Sequence, residues 1–310
     1  MRIGLVPVVE SAGVKARSLS LLVALVLATA CGGDDGGDGP GDSSGGLQVV
    51  AAFYPLAEAA RQAGGDRVIV TDVTPAGVEP HDLELTTDQV DAVLDADVVV
   101  TMGGGFQPAL EDVAADRDGG TVDVLAGLEA GGGDGPGGDP HVWLDPTRMG
   151  DIVGLVADAL AGADPEGADG HRARAADYRR RLAALDAELA AGLAPCRQRR
   201  IVTAHEAFGW LAARYGLEQR AIAGLSPDQE PDARHLVALA DLVEQDAITT
   251  VFTEALVSPA VAETLAREAG VRTAVLNPLE GLTEGEVEAG ADYLSVMREN
   301  LAVLEEALDC

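Results

Sequence analysis

The feature that most constrains this 310-residue chain is an alternation of short β-branched runs with helical patterns, which occurs in two blocks around one long helical segment. In the first block the predicted strands are residues 48–52, 67–73, 97–102 and 121–125. In the second block they are residues 200–204, 220–223, 248–253 and 272–276. Strands that alternate with helices favour parallel sheets. The sequence therefore predicts an α/β protein with two lobes, each with a roughly four-stranded parallel sheet flanked by helices.

The segment between the two blocks predicts one long helix. Residues 171–193 contain strong helix formers and no strand signal, and apolar side chains recur at helical spacing from Tyr178 to Leu189. We expect this rigid helix to join the two lobes. The predicted boundaries are residues 47–165 for the N-terminal lobe, 166–195 for the linker helix and 196–310 for the C-terminal lobe.

The first 30 residues have the features of a secretory signal peptide. Arg2, Lys15 and Arg17 precede an apolar run at residues 19–28, which ends in small residues before Cys31. An apolar run of this length is too short to span a bilayer, which takes about 20 residues. A cysteine directly after small residues resembles a bacterial lipobox, in which Cys31 becomes the acylated first residue. A plain signal peptide with an incidental cysteine is the alternative.

Residues 31–46 predict a flexible tether behind this lipidation site. After Cys31 the sequence reads GGDDGGDGPGDSSGG, which offers no apolar side chain to bury. Such a tether would let a folded body reach away from the membrane. We therefore expect an exported lipoprotein, anchored to the outer face of the cell membrane through lipid on Cys31.

The charge of the chain excludes one class of partner. The sequence has 21 basic and 52 acidic residues, for a net charge of −31. Nucleic-acid binding requires a basic surface, so this composition argues against it. An acidic surface also raises the local concentration of cations, although it serves solubility equally well.

Two cysteines remain once Cys31 is set aside. In an oxidising compartment an even pair favours a disulfide, here between Cys196 and Cys310. Two buried thiols are the alternative. No histidine or further cysteine lies near either one in the sequence, so neither is a good candidate for a metal ligand.

Three of the five histidines stand where ligands bind in open α/β sheets, beyond the carboxyl ends of strands. His81 lies in a loop after the second predicted strand, His141 in a loop after a strand, and His205 directly after the strand at 200–204. Any one of them alone is better explained as a helix cap or a hydrogen-bonded loop residue. Three at equivalent places, drawn from both lobes, predict a metal site in the cleft, and neutral imidazole suits zinc.

The other two histidines are not candidates for this site. His171 and His235 lie on predicted helices among charged residues. We expect both to be solvated.

Several stretches resemble the zinc and manganese solute-binding proteins of ABC importers, a group with two α/β lobes bridged by a rigid helix. The matching stretches are AAFYPLAEAARQAGGD, VEPHDLELTTDQ, DPHVWLDP, TAHEAFGWLAARYGL and ETLAREAGV, in the family's order. In that family the histidines matching His81, His141 and His205 bind the metal, and manganese members usually have Glu at the third position. The resemblance implies a receptor that captures Zn²⁺ and delivers it to a membrane permease, with manganese or iron as the alternative cargo.

The fourth metal position stays open at this stage. Family members often place an Asp after the last strand, where this chain has Asn277, whose amide could hold a water in the fourth site. Glu79, two residues before His81, is another candidate, because some zinc members use an acid from this loop. Glu254, at the end of the strand at 248–253, is expected near the cleft, where it would orient a ligand or a loop.

Three classes of function are compatible with these residues. We favour a binding protein that catalyses no reaction, and we expect it to be a monomer. A zinc hydrolase is a second, because three histidines and an open water position also describe catalytic zinc, with Glu79 or Glu206 as general base. The resemblance and the absence of a recognisable base motif argue against an enzyme. A surface adhesin is the third, since lipoproteins of this group are sometimes assigned that role.

Overall fold

The computed structural model describes residues 45–130 and 138–310. The predicted signal peptide, the predicted lipidation site Cys31 and nearly all of the predicted tether lie outside the described residues. Within them, no helix combines the length and the apolar character needed to cross a membrane.

The N-terminal lobe is built on a parallel four-stranded sheet. Its strands are β1 (Leu47–Ala51), β2 (Val68–Asp72), β3 (Val98–Thr101) and β4 (Thr121–Asp123), in the spatial order β2-β1-β3-β4. The helices of this lobe are α1 (Tyr54–Gly64), α2 (Thr87–Asp95), α3 (Pro108–Ala115), α4 (Val124–Ala130) and α5 (Pro146–Ala163). Every residue of β3 is buried, as in parallel strands that are covered on both faces.

The C-terminal lobe repeats this winding. Its strands are β5 (Arg200–Thr203), β6 (Glu218–Ala221), β7 (Thr250–Thr253) and β8 (Arg272–Val275), all parallel, in the order β6-β5-β7-β8. Its helices are α7 (Gly209–Tyr215), α8 (Ala233–Gln245), α9 (Ala260–Ala269), α10 (Glu284–Glu288) and α11 (Tyr293–Ala307). The predicted fold class, two four-stranded parallel sheets flanked by helices, is confirmed.

Helix α6 (Ala168–Leu193) connects the two sheets and packs against both lobes. It contacts α1 and α5 on one side and α7 and α11 on the other. Its buried side chains recur every three or four residues, which is the spacing of one helix face. They are His171, Ala175, Tyr178, Leu182, Leu185, Leu189 and Leu193.

The helix ends follow local chemistry that the sequence displays. Thr86 and Gln89 form a capping box at the start of α2, in which each side chain bonds the other's backbone N–H. Asp145 accepts a hydrogen bond from the N–H of Thr147 and so caps α5. Gly216 ends α7 with a left-handed backbone at φ 65°, a conformation that glycine adopts without steric cost.

Cys196 and Cys310 form a disulfide, as predicted. The segments beside the two cysteines are paired as well, because the N–H of Gln198 donates to the carbonyl of Leu308 at 3.0 Å. The disulfide lies where the chain enters β5, at the amino end of that strand. It therefore lies at the opposite end of β5 from His205.

Some elements differ from the sequence prediction. The short helices α3, α4 and α10 were not predicted, and α4 separates β4 from the loop that carries His141. Strand β6 begins at Glu218, two residues earlier than expected, since its partly exposed residues give no apolar run to mark its start. The sequence after His205 predicts a helix from about Glu206, whereas α7 begins at Gly209, after a turn that contains Glu206.

Candidate metal site

His81 lies in the loop between β2 and α2. Its backbone N–H donates to both carboxylate oxygens of Glu79, at 3.1 and 3.0 Å, which closes a tight turn ahead of the capped helix. The imidazole side chain is 9% exposed, so one edge of the ring reaches the cleft surface.

His141 lies between α4 and α5, on a buried turn that continues into a short 3-10 helix at Val142–Leu144. Its Nδ1 is 2.7 Å from Oδ1 of Asp139, and its backbone N–H donates to the same oxygen at 2.9 Å. Because a carboxylate only accepts, Nδ1 carries the proton. Asp139 therefore fixes both the tautomer and the direction of the ring.

His205 follows β5 and is arranged in the same way by an acid from the neighbouring strand. Its Nδ1 is 2.7 Å from Oε2 of Glu254, and its backbone N–H donates to Oε1 at 3.1 Å. Glu254 comes directly after β7, the strand beside β5 in the sheet. Glu254 thus contacts His205 at the cleft, and its role in orienting this ligand stays a prediction.

The three histidines converge on a residue that the sequence analysis did not select. Oε1 of Glu280 lies 3.2 Å from Nε2 of His81 and 3.1 Å from Nε2 of both His141 and His205. One ligand atom from each of the four residues lies within 4.8 Å of the other three. His141, His205 and Glu280 are buried, with at most 1% of the residue exposed. Three imidazole nitrogens and one carboxylate oxygen make a donor set that suits a tetrahedral metal ion.

The orientation of the rings leaves this cluster in need of a positive charge. In their neutral form His141 and His205 carry their single proton on Nδ1, so the lone pairs of both Nε2 atoms face the carboxylate of Glu280. Lone pairs and a carboxylate repel one another unless a proton or a metal ion lies between them. The arrangement of these side chains therefore favours a bound cation.

The electrostatics of the metal-free site follow the same logic. Burial opposes the protonation of His205, but its hydrogen bonds to Glu254 and Glu280 outweigh burial and raise its pKa to about 10. Burial likewise opposes protonation of His141, and its bonds to Asp139 and Glu280 raise its pKa above the usual range. Burial alone would raise the pKa of Glu280, but hydrogen bonds from the histidines hold that pKa well below its usual range.

The other predicted candidates for the fourth position lie elsewhere. Asn277 accepts a hydrogen bond from the N–H of Leu279 at 2.8 Å and donates to Glu286 at 2.9 Å. The nearest oxygen of Glu79 is 3.9 Å from Nε2 of His81, and burial raises the pKa of this acid to about 7. Among the described residues, the acid that reaches all three Nε2 atoms is Glu280.

One expectation about the remaining histidines is wrong. His171 is fully buried, not solvated, with Nε2 3.2 Å from Asp164 and Nδ1 3.2 Å from the carbonyl of Ala63. It fastens the start of α6 to the end of α1. His235 is exposed, as expected, and its Nε2 lies 2.8 Å from the carbonyl of Ala221.

A cavity of about 460 Å³ between the lobes leads to the exposed edge of His81. Phe106 and Asp123 line it from the N-terminal lobe, and Ser226 and Gln229 line it from the C-terminal lobe. Because the other three cluster residues are enclosed, His81 is the member of the cluster that opens to this cavity.

Comparisons with known families and curated proteins point to zinc uptake. The family model described as zinc-uptake complex component A, periplasmic (ZnuA), matches residues 49–307. The zinc-binding lipoprotein AdcA of Streptococcus pneumoniae serotype 4 is 39% identical over 284 residues, which are 86% of this chain and 57% of AdcA. The high-affinity zinc uptake system protein ZnuA of Bacillus subtilis is 32% identical over 308 residues, covering 94% of this chain and 97% of that protein. The chain thus spans a little over half the length of AdcA and nearly all of the Bacillus protein.

Solved structures agree with this grouping. The Zn(II)-bound ZnuA-like domain of Streptococcus pneumoniae AdcA superposes with a TM-score of 0.73 at 39% identity, covering 86% of this chain and all of that domain. The laminin-binding protein Lmb of Streptococcus agalactiae, described as bifunctional with adhesin and metal transporting activity, has a TM-score of 0.77 at 29% identity. That match covers 85% of this chain and all of Lmb.

Proposed function

Because the chain belongs to the ZnuA family of periplasmic zinc-uptake components, we propose that it is the zinc receptor of an ABC importer. It captures Zn²⁺ between its two lobes, outside the cytoplasm, and delivers the ion to a membrane permease. The observation that carries this proposal is the convergence of three imidazole nitrogens on one carboxylate oxygen at 3.1–3.2 Å.

The proposed ligands are His81, His141, His205 and Glu280. Two come from each lobe, and each of the two buried histidines is held by a carboxylate on its other ring nitrogen. Such outer partners orient a ligand and raise its basicity. This donor set explains how the cation could be held without a water molecule in the fourth position.

Zinc is the favoured cargo over manganese or iron. Three imidazoles and one carboxylate are a borderline donor set, whereas manganese favours carboxylate, carbonyl and water oxygens and a higher coordination number. Relatives that share the fold are named for zinc binding or zinc uptake. Manganese or iron remains the alternative cargo.

A receptor, not an enzyme, fits the enclosed geometry. Catalytic zinc keeps an open position for water, which the metal activates. Here Glu280 stands at the fourth position, and Glu206, considered as a general base, is exposed and follows His205 in the chain. A family of solute-binding uptake components supports the same reading.

Export and anchoring complete the proposal. The signal-like residues before Cys31 and the lipoprotein AdcA among the relatives support an extracytoplasmic protein held by lipid on Cys31. The permease is the expected membrane partner, and the receptor is expected to act as a monomer. Adhesion, a property of Lmb, remains a prediction that binding to immobilised laminin would test.

The proposal is tested by zinc content and competitive zinc affinity of the purified full chain. We expect one tightly held zinc per chain that excess manganese does not displace. His205→Ala removes a ligand, and Glu280→Gln removes the carboxylate charge while keeping the side-chain shape. Each should weaken zinc binding by more than the roughly 10- to 100-fold that follows loss of an outer-shell partner.

His235→Ala is the matched control, because it removes an exposed histidine outside the cluster. It should bind zinc as the wild type does. Preferred binding of manganese, or zinc affinity that is indifferent to both His205 and Glu280, would contradict the proposed receptor.

A further inference from the structure

Glu280 lies on an irregular segment that is nearly all buried. Residues 276–283, termed the strap, follow β8 without forming a helix or strand, and residues 276–282 are buried. A buried irregular backbone must find hydrogen-bond partners outside regular structure. The partners of the strap therefore indicate what holds Glu280 in place.

Two carbonyls on the strap accept hydrogen bonds from the N-terminal lobe. The indole Nε1 of Trp143 donates to the carbonyl of Pro278 at 2.8 Å. The backbone N–H of Gly77 donates to the carbonyl of Leu282, also at 2.8 Å. Pro278 and Leu282 stand two residues before and two residues after Glu280. The backbone on both sides of Glu280 is thus hydrogen-bonded to the N-terminal lobe across the cleft.

The two donors belong to the segments that carry the N-terminal histidines. Trp143 is two residues after His141, and Gly77 is four residues before His81. The carbonyl of Trp143 in turn accepts from the hydroxyl of Tyr293 at 2.6 Å, which ties this turn to α11 of the C-terminal lobe. Both Trp143 and Tyr293 are fully buried, so water does not compete for these bonds.

Within the C-terminal lobe, two asparagines shape the strap. Asn277 accepts from the N–H of Leu279, and Asn300 bonds both the N–H and the carbonyl of Asn277 at 2.8 and 2.7 Å. Leu279 adopts a left-handed backbone with φ 57°, which a leucine adopts only where its surroundings enforce it. This turn directly precedes Glu280.

We propose that Trp143 is a positioning residue, which aims Glu280 at the metal by holding the strap from the His141 segment. This inference rests on the proposed zinc site. Without the indole bond, the carbonyl of Pro278 loses its partner and the strap can relax away from the histidines. Preorganised ligands hold an ion more tightly, because binding does not have to order them.

The test compares Trp143→Phe with wild type as full chains. Phenylalanine keeps an aromatic ring beside Phe53 and Phe106 but removes the N–H donor. We expect zinc affinity to fall roughly 10- to 100-fold, mainly through faster dissociation to a chelator. With Co²⁺ as a spectroscopic substitute, the visible absorption bands should change in position or intensity, because the carboxylate ligand has moved.

Val243→Ala is the control for general destabilisation. Val243, on α8, is 1% exposed in an apolar cluster separate from the one that contains the leucines of the strap. It should lower the unfolding midpoint of the metal-free protein yet leave zinc affinity and the Co²⁺ bands as in wild type. If Trp143→Phe is unfolded, Tyr293→Phe takes its place. It removes only the hydroxyl that holds the carbonyl of Trp143, and zinc affinity and the Co²⁺ bands are again the measurements.

The outcomes separate this inference from the proposed function. If the wild type binds zinc, and Trp143→Phe has a zinc affinity within twofold of it and the same Co²⁺ bands, the positioning role alone is overturned. An equal affinity loss in Val243→Ala also overturns it. A wild-type chain that holds no zinc overturns the proposed function, and the positioning role with it.

Discussion

At the residue scale, the site depends on acids that do not touch the proposed metal position. Asp139 and Glu254 each accept the Nδ1 proton of a buried histidine at 2.7 Å. This contact keeps a proton on Nδ1, so Nε2 is the nitrogen that faces Glu280 and gives up its proton when a metal ion binds. The two acids therefore decide which nitrogen is free to bind.

Glu254→Gln tests this orienting role. The ring and the backbone N–H of His205 bond different oxygens of Glu254, and the amide replaces one of these acceptors with an NH₂ donor, so the imidazole loses its fixed direction. We expect zinc affinity to fall about 10- to 100-fold in a chelator competition assay. Glu206→Gln, at an exposed acid next to His205 in the chain, is the control and should bind zinc normally. Equal affinity in both variants would remove Glu254 from the site.

A second residue-scale prediction concerns pH and Asp72. Burial raises the pKa of Asp72 from 3.8 to about 6, against the bond from the N–H of Thr74 and the charge of Arg61. The folded protein therefore binds this proton more tightly than the unfolded chain. Protonation of Asp72 therefore contributes to the free energy of unfolding. This contribution is fully present below about pH 4 and is lost as pH rises through about 6, a change of at most about 3 kcal/mol.

Asp72→Asn removes this dependence. The variant should lose less stability than wild type between pH 4 and 7, and at pH 7 it should be more stable by up to about 3 kcal/mol. Urea unfolding at a series of pH values measures both effects. Asp66→Asn, at an exposed acid, should follow the wild-type curve. If the unfolding free energy of Asp72→Asn varied with pH as that of the wild type does, burial would not be raising the pKa of Asp72.

The sequence predicted the histidines of the site but not its acid. His81, His141 and His205 could be selected because each lies beyond a predicted strand, where ligands collect, although the unpredicted helix α4 precedes His141. Glu280 could not, since it lies on an irregular strap whose direction depends on a left-handed Leu279 and on Trp143. No periodicity in the chain indicates that residue 280, and not 277, faces the cleft.

At the element scale, α6 shows a signal that the sequence analysis did not use. His171 stands four residues before Ala175 and seven before Tyr178, on the same face as the buried leucines. Helical spacing therefore predicted its burial more reliably than its charged neighbours predicted exposure. The missed helices have another cause. Helices α3, α4 and α10 have eight, seven and five residues, too few for a 3.6-residue repeat to stand out.

The disulfide gives a prediction at the same scale. Cys196 and Cys310 are 114 residues apart, so the bond restricts a long loop in the unfolded chain. Replacing both with serine should lower the free energy of unfolding by about 2–5 kcal/mol, measured in urea. Zinc affinity should not change, because the bond lies at the opposite end of β5 from His205. Weaker zinc binding in this variant would show that the disulfide also shapes the site.

At the scale of the whole molecule, the lobes are held together in several ways. Helix α6 packs on both, and bonds from Trp143, Gly77 and Trp210 cross the cleft. Trp210 of α7 donates to the carbonyl of Asp139 at 3.0 Å. The fold class and the connecting helix followed from the βα pattern. These crossing bonds did not, because they join residues far apart in sequence.

Such bracing predicts little lobe movement on metal capture. X-ray scattering profiles of the metal-free and zinc-loaded full chain should nearly superpose, with no change of the size that hinge closure produces. The His205→Ala chain with and without zinc provides the baseline for effects of the ion alone. A clear decrease in radius of gyration that only wild type shows would contradict a braced molecule.

The even division of the cluster, two residues from each lobe, has a consequence for how the ion could be released. Each lobe alone is a two-ligand half-site, and the surrounding fold keeps the second half at a high effective concentration once the first is engaged. The coupling is reciprocal: whatever the pairing of the lobes contributes to metal affinity, the metal contributes to the pairing. A partner that favours parted lobes would therefore weaken the hold on the ion by the same free energy, without touching a single ligand.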